Sequence, residues 1–202
     1  MDDWDADSVQ LYDNLRALLM NLRDVAKARA IPDSKDFKEW HRRMLHGLAA
    51  PDQHLIGAAR GESGLEGLEV RVGQSRGVPA REVANELAQF ERRLASHLHY
   101  LDSQLKSGHD HTTDELLAVV DLCAWVHAEW VRIHPFANGN GRIARLLANF
   151  VAMRYDIPPF IRLRPRPDMG YSAAAQRAML GDWKSTAREF EKMLITFLNQ
   201  TP

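Results

Sequence analysis

The stretch from Leu116 to Ile133 constrains the fold more than any other part of the chain. Leu116, Val119, Val120, Cys123, Trp130 and Ile133 put apolar groups on several faces of one helix, and such a helix is stable only when neighbours cover it on most sides. The rest of the chain must therefore wrap around it as a bundle. Its start is marked by Thr112-Thr113-Asp114-Glu115, a capping box in which Thr112 caps and Glu115 reaches back. Its end is marked by Pro135, because proline disfavours helical geometry at the residue before it. His134 then stands at the end of a rigid, buried element, a suitable place for a base.

Helical periodicity recurs along most of the remaining sequence, so the fold class is mainly α. After Ser8 as cap, Leu11, Leu15, Leu18, Leu22 and Val25 form one stripe, and a second helix starting at Ser34 carries Phe37, Trp40, Met44 and Leu48. Pro79 opens a long helix with Val83, Leu87, Phe90, Leu94, Leu98, Leu101 and Leu105 on one side, ending near Gly108. Two further helices span about 172–180 and 182–198, the last capped by Asp182. Between about 50 and 78 lie six of the 12 glycines, and inside that segment Leu68 to Val72 alternates apolar and charged residues as a short surface strand does. We expect residues 1–50 to form an N-terminal helical region and 51–202 the main domain, together one compact unit.

Composition bounds the partners. A net charge of -1 provides no global attraction to nucleic acid or anionic membrane, so neither is expected as a partner and any anion site must be local. No run approaches the roughly 18 uninterrupted apolar residues of a membrane span. The acidic start, Met1-Asp2-Asp3-Trp4-Asp5, is unlike a secretory signal, and the single Cys123, in an apolar stretch, fits a reducing cytoplasm.

A local anion site is visible at His134-Pro135-Phe136-Ala137-Asn138-Gly139-Asn140-Gly141-Arg142-Ile143-Ala144-Arg145. Alternate glycines let backbone approach an anion closely, and the N–H groups of the helix that follows point toward it. Arg142 and Arg145, three apart, share a helix face and reach phosphates held at its start. Gly139-x-Gly141-x-x-Ala144 also matches a dinucleotide-binding pattern, but that pattern follows a strand and here a helix precedes it. No Gly-Lys-Ser/Thr follows, which excludes a P-loop. The closely spaced pairs His97/His99 and His109/His111 have no accompanying carboxylate cluster and are read as solvated or hydrogen-bonded rather than metal-binding. His127 packs or bonds locally, Phe136 belongs to the core, and Arg162, Arg164 and Arg166 alternate along an extended, solvated loop. Tyr171 is a candidate for lining a base pocket.

Residues 134–145 resemble the signature of the Fic (Fic/Doc) family, His-x-Phe-x-(Asp/Glu)-Gly-Asn-Gly-Arg-x-x-Arg, at every position except Asn138, which replaces the acidic residue. The resemblance implies a Fic-type helical bundle with a short β-hairpin flap at about 66–78, onto which a target segment is laid beside Glu69, Val70, Arg71 and Val72. It implies transfer of AMP from ATP to a Ser, Thr or Tyr hydroxyl of a target protein. His134 would be the base, and Gly139, Asn140, Gly141, Arg142 and Arg145 would hold the phosphates. The position of Asn138 is that of the Mg²⁺ ligand. Some relatives transfer other phosphate-containing groups, kinase-like transfer included; the neutral Asn138 also leaves open a non-catalytic nucleotide- or partner-binding module. The family's inhibitory motif, Ser/Thr-x-x-x-Glu-Gly/Asn, has no complete copy: Ser185 and Glu189 are correctly spaced but Phe190 follows. The chain is then either unrestrained or, by analogy with toxin members, held by a separate antitoxin or inhibitor protein.

Overall fold

A computed structural model describes Trp4 and residues 8–108, 110–167 and 170–200; Met1 to Asp3, Asp5 and His109 lie outside the described residues. Seven helices are described: α1 (Val9–Lys27), α2 (Ser34–Met44), α3 (Val83–Gln104), α4 (Thr113–Ile133), α5 (Asn140–Arg154), α6 (Tyr171–Ala178) and α7 (Lys184–Gln200). One two-stranded antiparallel sheet accompanies them, β1 (Arg71–Val72) with β2 (Ser75–Arg76), in the register Arg71 to Arg76 and Val72 to Ser75.

The capping box at Thr112 forms as its residue types dictate, with Thr112 Oγ1 accepting from the Glu115 N–H and Glu115 accepting in return from the Thr112 N–H at 2.7 Å. From there α4 runs through the middle of the molecule. It packs most extensively on α5 and α7, while α1 covers α5, α3 covers α4, and α6 lies against α7 and α4. Every residue of α5 except Gly141 is buried. The core around Trp130 is aromatic: Phe37 meets it edge-on at 4.9 Å, and Phe90 and Phe136 lie at 5.8 Å. Edge-on and tilted pairs of this kind add about 0.5–1.5 kcal/mol each beyond area burial. At the far end of α5, the buried Arg154 donates to Asp102 at 2.6 Å and to the Ala30 carbonyl at 2.7 Å, fastening α5 to α3 and to the turn after α1.

Several expected boundaries move. The alternation at Leu68 to Val72 becomes a strand only at Arg71–Val72; one further in-register bond, from the Gly77 N–H to the Val70 carbonyl, extends the pairing, and before it the Leu68 carbonyl is taken by Arg60. The second helix stops at Met44, yet Leu48 stays buried on the following loop. In α1 the stripe rotates, leaving Val25 exposed at 43% and burying Ala26 instead. The long helix ends at Gln104 rather than near Gly108, and the last two helices cover Tyr171–Ala178 and Lys184–Gln200. Asp182 still caps locally, accepting from the Ser185 hydroxyl at 2.6 Å.

Candidate active site

His134 follows α4 in the left-handed region, with φ 53° and ψ 56°. That conformation costs a non-glycine residue about 1–3 kcal/mol and persists only where surroundings over-determine it. Here they do: its N–H donates to the Trp130 carbonyl at 2.9 Å, and its carbonyl accepts from Arg60 Nε at 2.8 Å. The imidazole Nδ1 lies 3.1 Å from the Val131 carbonyl, which can only accept, so Nδ1 carries the proton and Nε2 keeps its lone pair. Desolvation pushes the His134 pKa down to about 4; the bond to Val131 opposes this and the nearby Arg60 charge reinforces it. At neutral pH the ring is therefore an uncharged base.

The turn that follows is held by side chains. Asn140, buried, accepts from the Phe136 N–H at 2.9 Å and donates to the Phe136 carbonyl at 2.7 Å. Its amide thus closes the loop instead of reaching toward a phosphate, and what Asn140 offers a ligand is the backbone at the start of α5. Phe136 stacks on His41 with centroids 4.0 Å apart. His41 accepts from the Gly57 N–H at Nδ1 (2.8 Å), which leaves Nε2 to donate to the Asn138 carbonyl (3.0 Å). Gly139 sits at φ +78°, where a Cβ would come within 2.7 Å of Met44 Cε. Gly141, the one residue of α5 that is not buried, lines the cavity together with Asn140, Arg142 and Arg145.

One cavity of about 750 Å³ brings together His134, Asn138, Gly139, Asn140, Gly141, Arg142 and Arg145 with Glu69, Val70, Arg71 and Val72 of the flap. Arg142 donates to Asn138 Oδ1 at 2.8 Å. Arg145, only 5% exposed, donates to Tyr171 Oη at 3.1 Å and to the Leu163 carbonyl at 3.0 Å. Tyr171 lines the cavity from α6, and its hydroxyl lies 2.7 Å from Nε2 of the fully buried His127. Desolvation pushes His127 down to about 3, so the ring that hydrogen-bonds the Tyr171 hydroxyl is neutral. Asn149 bonds the Ile161 backbone in both directions and anchors the loop after α5, along which Arg162 and Arg166 are exposed and Arg164 is half-buried. Arg164 and Arg166 consequently line the cavity, whereas Arg162 faces a separate groove and donates to the Arg166 carbonyl.

Charge around the cavity is lopsided. Among the described residues lining it, Arg71, Arg142, Arg145, Arg164 and Arg166 face a single carboxylate, Glu69. In a chain of net charge -1 this is a local concentration of positive charge. A divalent cation fits it poorly. Asn138 offers a neutral oxygen already engaged by Arg142, and Glu69 is turned toward the Ala80 N–H at 3.2 Å and Arg60 at 3.7 Å. Mg²⁺ at nucleotide sites is held by carboxylates together with substrate phosphates, and no such carboxylate is aimed here among the described residues. The other histidines stand apart: His97 packs edge-on against Trp125, and His111 bonds the Tyr155 carbonyl at 2.6 Å. Burial raises the Cys123 thiol far above its ordinary pKa, which leaves it unreactive.

Two residues of the site are not legible in the sequence. His41 sits on the apolar stripe of α2, four residues after Phe37, and that placement is its only signal. Arg60, 1% exposed, has none; it looks like a solvated charge among glycines.

Comparison with known proteins agrees with this geometry. The Fic/DOC family model matches residues 31–152. Protein adenylyltransferase fic-1 of Caenorhabditis elegans is 38% identical over 96 residues, 46% of this chain and 19% of that protein. Protein adenylyltransferase Fic of Drosophila melanogaster is 34% identical over 127 residues, 63% of this chain and 21% of that one. The chain thus spans about a fifth of the length of these curated relatives. Among solved structures, Fic-1 of C. elegans superposes with a TM-score of 0.64 at 23% identity, covering 96% of this chain and 52% of that one. The BepC effector of Bartonella tribocorum, solved with bound AMPPNP, gives 0.61 at 17% identity, covering 91% and 85%. The family match spans more than half of the chain, including the buried helix pair and the turn between them, and on that ground this chain belongs to the Fic/DOC family.

Proposed function

We propose that this chain is a protein adenylyltransferase, moving AMP from ATP to a Ser, Thr or Tyr hydroxyl of a target protein. The observation that carries the reading is His134, whose Nδ1 is tied to the Val131 carbonyl so that a basic Nε2 lines the same cavity as the two motif arginines. ATP lies with its phosphates at the start of α5, where Gly139 and Gly141 let the backbone come close. Arg142 and Arg145 neutralise the β- and γ-phosphates. His134 Nε2 takes the proton of the target hydroxyl, the oxygen attacks the α-phosphorus, and the bond to pyrophosphate breaks. Positioning and charge stabilisation supply most of the rate, and a placed base adds about 10²–10⁴-fold.

Mg²⁺ enters no step of this account; the arginines carry the charge compensation. The flap residues Glu69 to Val72 receive the target as an added strand, since an exposed edge recognises backbone with little regard for side chains. The relatives' names support the activity, and the AMPPNP held by a protein of the same fold supports the nucleotide. Restraint by a separate antitoxin or inhibitor protein fits the state of the Ser185 to Glu189 stretch, whose groups are occupied locally. Ser185 bonds Asp182, and Glu189 accepts from Lys192 at 2.7 Å. No described helix is long and apolar enough to cross a membrane, and we assign the reaction to the cytoplasm, where ATP and reduced thiols coexist.

The test is incubation with lysate and ATP labelled at the α- or the γ-phosphate, with His134→Ala as control. Label on protein from the α-position alone, lost in the variant, is the expected result. Label from the γ-position would instead make the chain kinase-like, and nucleotide binding without any labelling would favour a non-catalytic module.

A further inference from the structure

We infer that Arg60 is a positioning residue: its buried guanidinium ties both legs of the flap to the end of α4, and so sets where a docked target strand lies relative to His134. The part of this that concerns docking rests on the AMP-transfer reading, whereas the tie itself stands on geometry.

A guanidinium has five N–H donors in a rigid fork. In Arg60 four hydrogen bonds go to main-chain carbonyls: Nε to His134 at 2.8 Å, Nη2 to Ile133 at 3.0 Å and Val78 at 2.8 Å, and Nη1 to Leu68 at 3.3 Å. Glu69 faces Nη1 at 3.7 Å. The carbonyls of Ile133 and His134 lie at the C-terminus of α4, where no helical partner exists and a cation is favoured by the helix dipole. Those of Leu68 and Val78 bracket the β1–β2 hairpin. The Arg60 backbone is held as well, its N–H donating to the Pro135 carbonyl at 2.7 Å beside the Ala59–Phe136 bridge.

A buried charge is tolerated only when so fully engaged, and a lysine in its place could not bridge four carbonyls in one plane. Contact with the base is direct. Where the return leg crosses His134, a Cβ at Gly77 would lie 3.0 Å from Val70 Cγ2, 3.1 Å from His134 Cβ and 3.2 Å from Arg60 Nη2. Flap, base and arginine therefore move as one unit, and a target laid along β1 inherits a fixed distance to Nε2. The same charge disfavours protonation of His134.

The experiment compares the full chain with Arg60→Lys and Arg60→Met in three readouts: ATP affinity, AMP transfer to lysate proteins, and hydrogen exchange of the Gly77 and His134 amides. In the lysine variant we expect ATP affinity within about twofold of the parent, because Arg142 and Arg145 are untouched, and transfer lower by about a hundredfold through misplacement. The Gly77 amide, bonded to the Val70 carbonyl, should exchange about tenfold faster. Unchanged transfer and exchange in a folded variant would overturn the inference, as would ATP affinity falling in step with transfer, since that marks general damage. If neither variant folds, the parent chain decides. Opening of the Gly77 and His134 amides with one common free energy supports the tie, and a freely exchanging Gly77 beside a protected His134 refutes it. A parent chain that labels nothing would count against AMP transfer alone, and the exchange arm would still judge the tie.

Discussion

The cavity has two walls built in opposite ways. The motif wall, from the end of α4 through the turn to α5, is fastened by many independent contacts: Asn140 on Phe136, His41 on Asn138 and Gly57, Asn149 on Ile161, and a helix buried along nearly its whole length. The flap wall consists of two strands of two residues each in a glycine-rich segment, joined to the rest mainly through Arg60. Phosphate chemistry needs donors held within fractions of an ångström, which redundancy provides. A short edge that recognises backbone needs only to be held at one fixed distance from the base, which a single multidentate tie can provide. Redundancy makes the first wall tolerant of losing one contact but intolerant of any group that changes its geometry. The second wall tolerates change at most positions and depends on one.

The largest effect that would test this contrast is on the motif wall. His134→Ala should lower AMP transfer by about 10²–10⁴-fold with ATP affinity retained; loss of affinity in proportion would mean that His134 shapes the wall instead of acting as base.

Acid should also attack the motif wall first. His41 and His127 are buried and neutral, with pKa values pushed by desolvation to about 4 and about 3. Unfolded, both protonate near 6.5, so their contribution to stability is complete above that pH and is lost as pH falls from 6.5 through the folded values. The full loss is on the order of 3–5 kcal/mol for each group, at about 1.36 kcal/mol per unit. Thermal melting at pH 7 and pH 5 checks it: a melting temperature that does not fall on acidification would contradict the burial of these rings.

Next comes backbone geometry. Gly139→Ala faces both a left-handed φ of +78° and Met44 Cε at 2.7 Å, and should destabilise by about 1–3 kcal/mol. Asn138→Asp should then separate charge from shape: a carboxylate beside Arg142 should make nucleotide affinity rise on adding Mg²⁺, and the parent chain should depend on Mg²⁺ much less. Titration of ATP with and without Mg²⁺ on both proteins reads this directly. The smallest effect belongs to the flap side. Gly67→Ala meets open space and needs no unusual φ, so its stability should stay within about 0.5 kcal/mol of the parent. Equal destabilisation by the two glycine substitutions would erase the distinction between the walls.

Most of the motif wall was legible because its information is local. Capping by Thr112, termination at Pro135 and the shared face of Arg142 and Arg145 all follow from residues within a few positions of one another. Asn140 shows the limit even there. Its place in the turn was evident, but the partner of its side chain was not, because Phe136 and a phosphate are equally accessible to an amide until the chain has folded. Strand length failed for a similar reason: alternation at Leu68 to Val72 sets which side chains face inward, whereas pairing depends on what the folded chain brings alongside; Val70 still meets Gly77 in register, but the Leu68 carbonyl is taken by Arg60.

The sequence by itself determined a mainly helical bundle around α4, a glycine-containing turn at the start of α5 and the identity of the groups gathered there, since helical period, proline and glycine act over a few residues. Only the tertiary structure decided that His41 and Arg60 belong to the site, that Arg164 and Arg166 turn into the cavity, and that Asn138 is engaged by Arg142. These are pairings between segments distant in the chain. Burial and hydrogen-bond geometry select them, and neither exists until the core has closed.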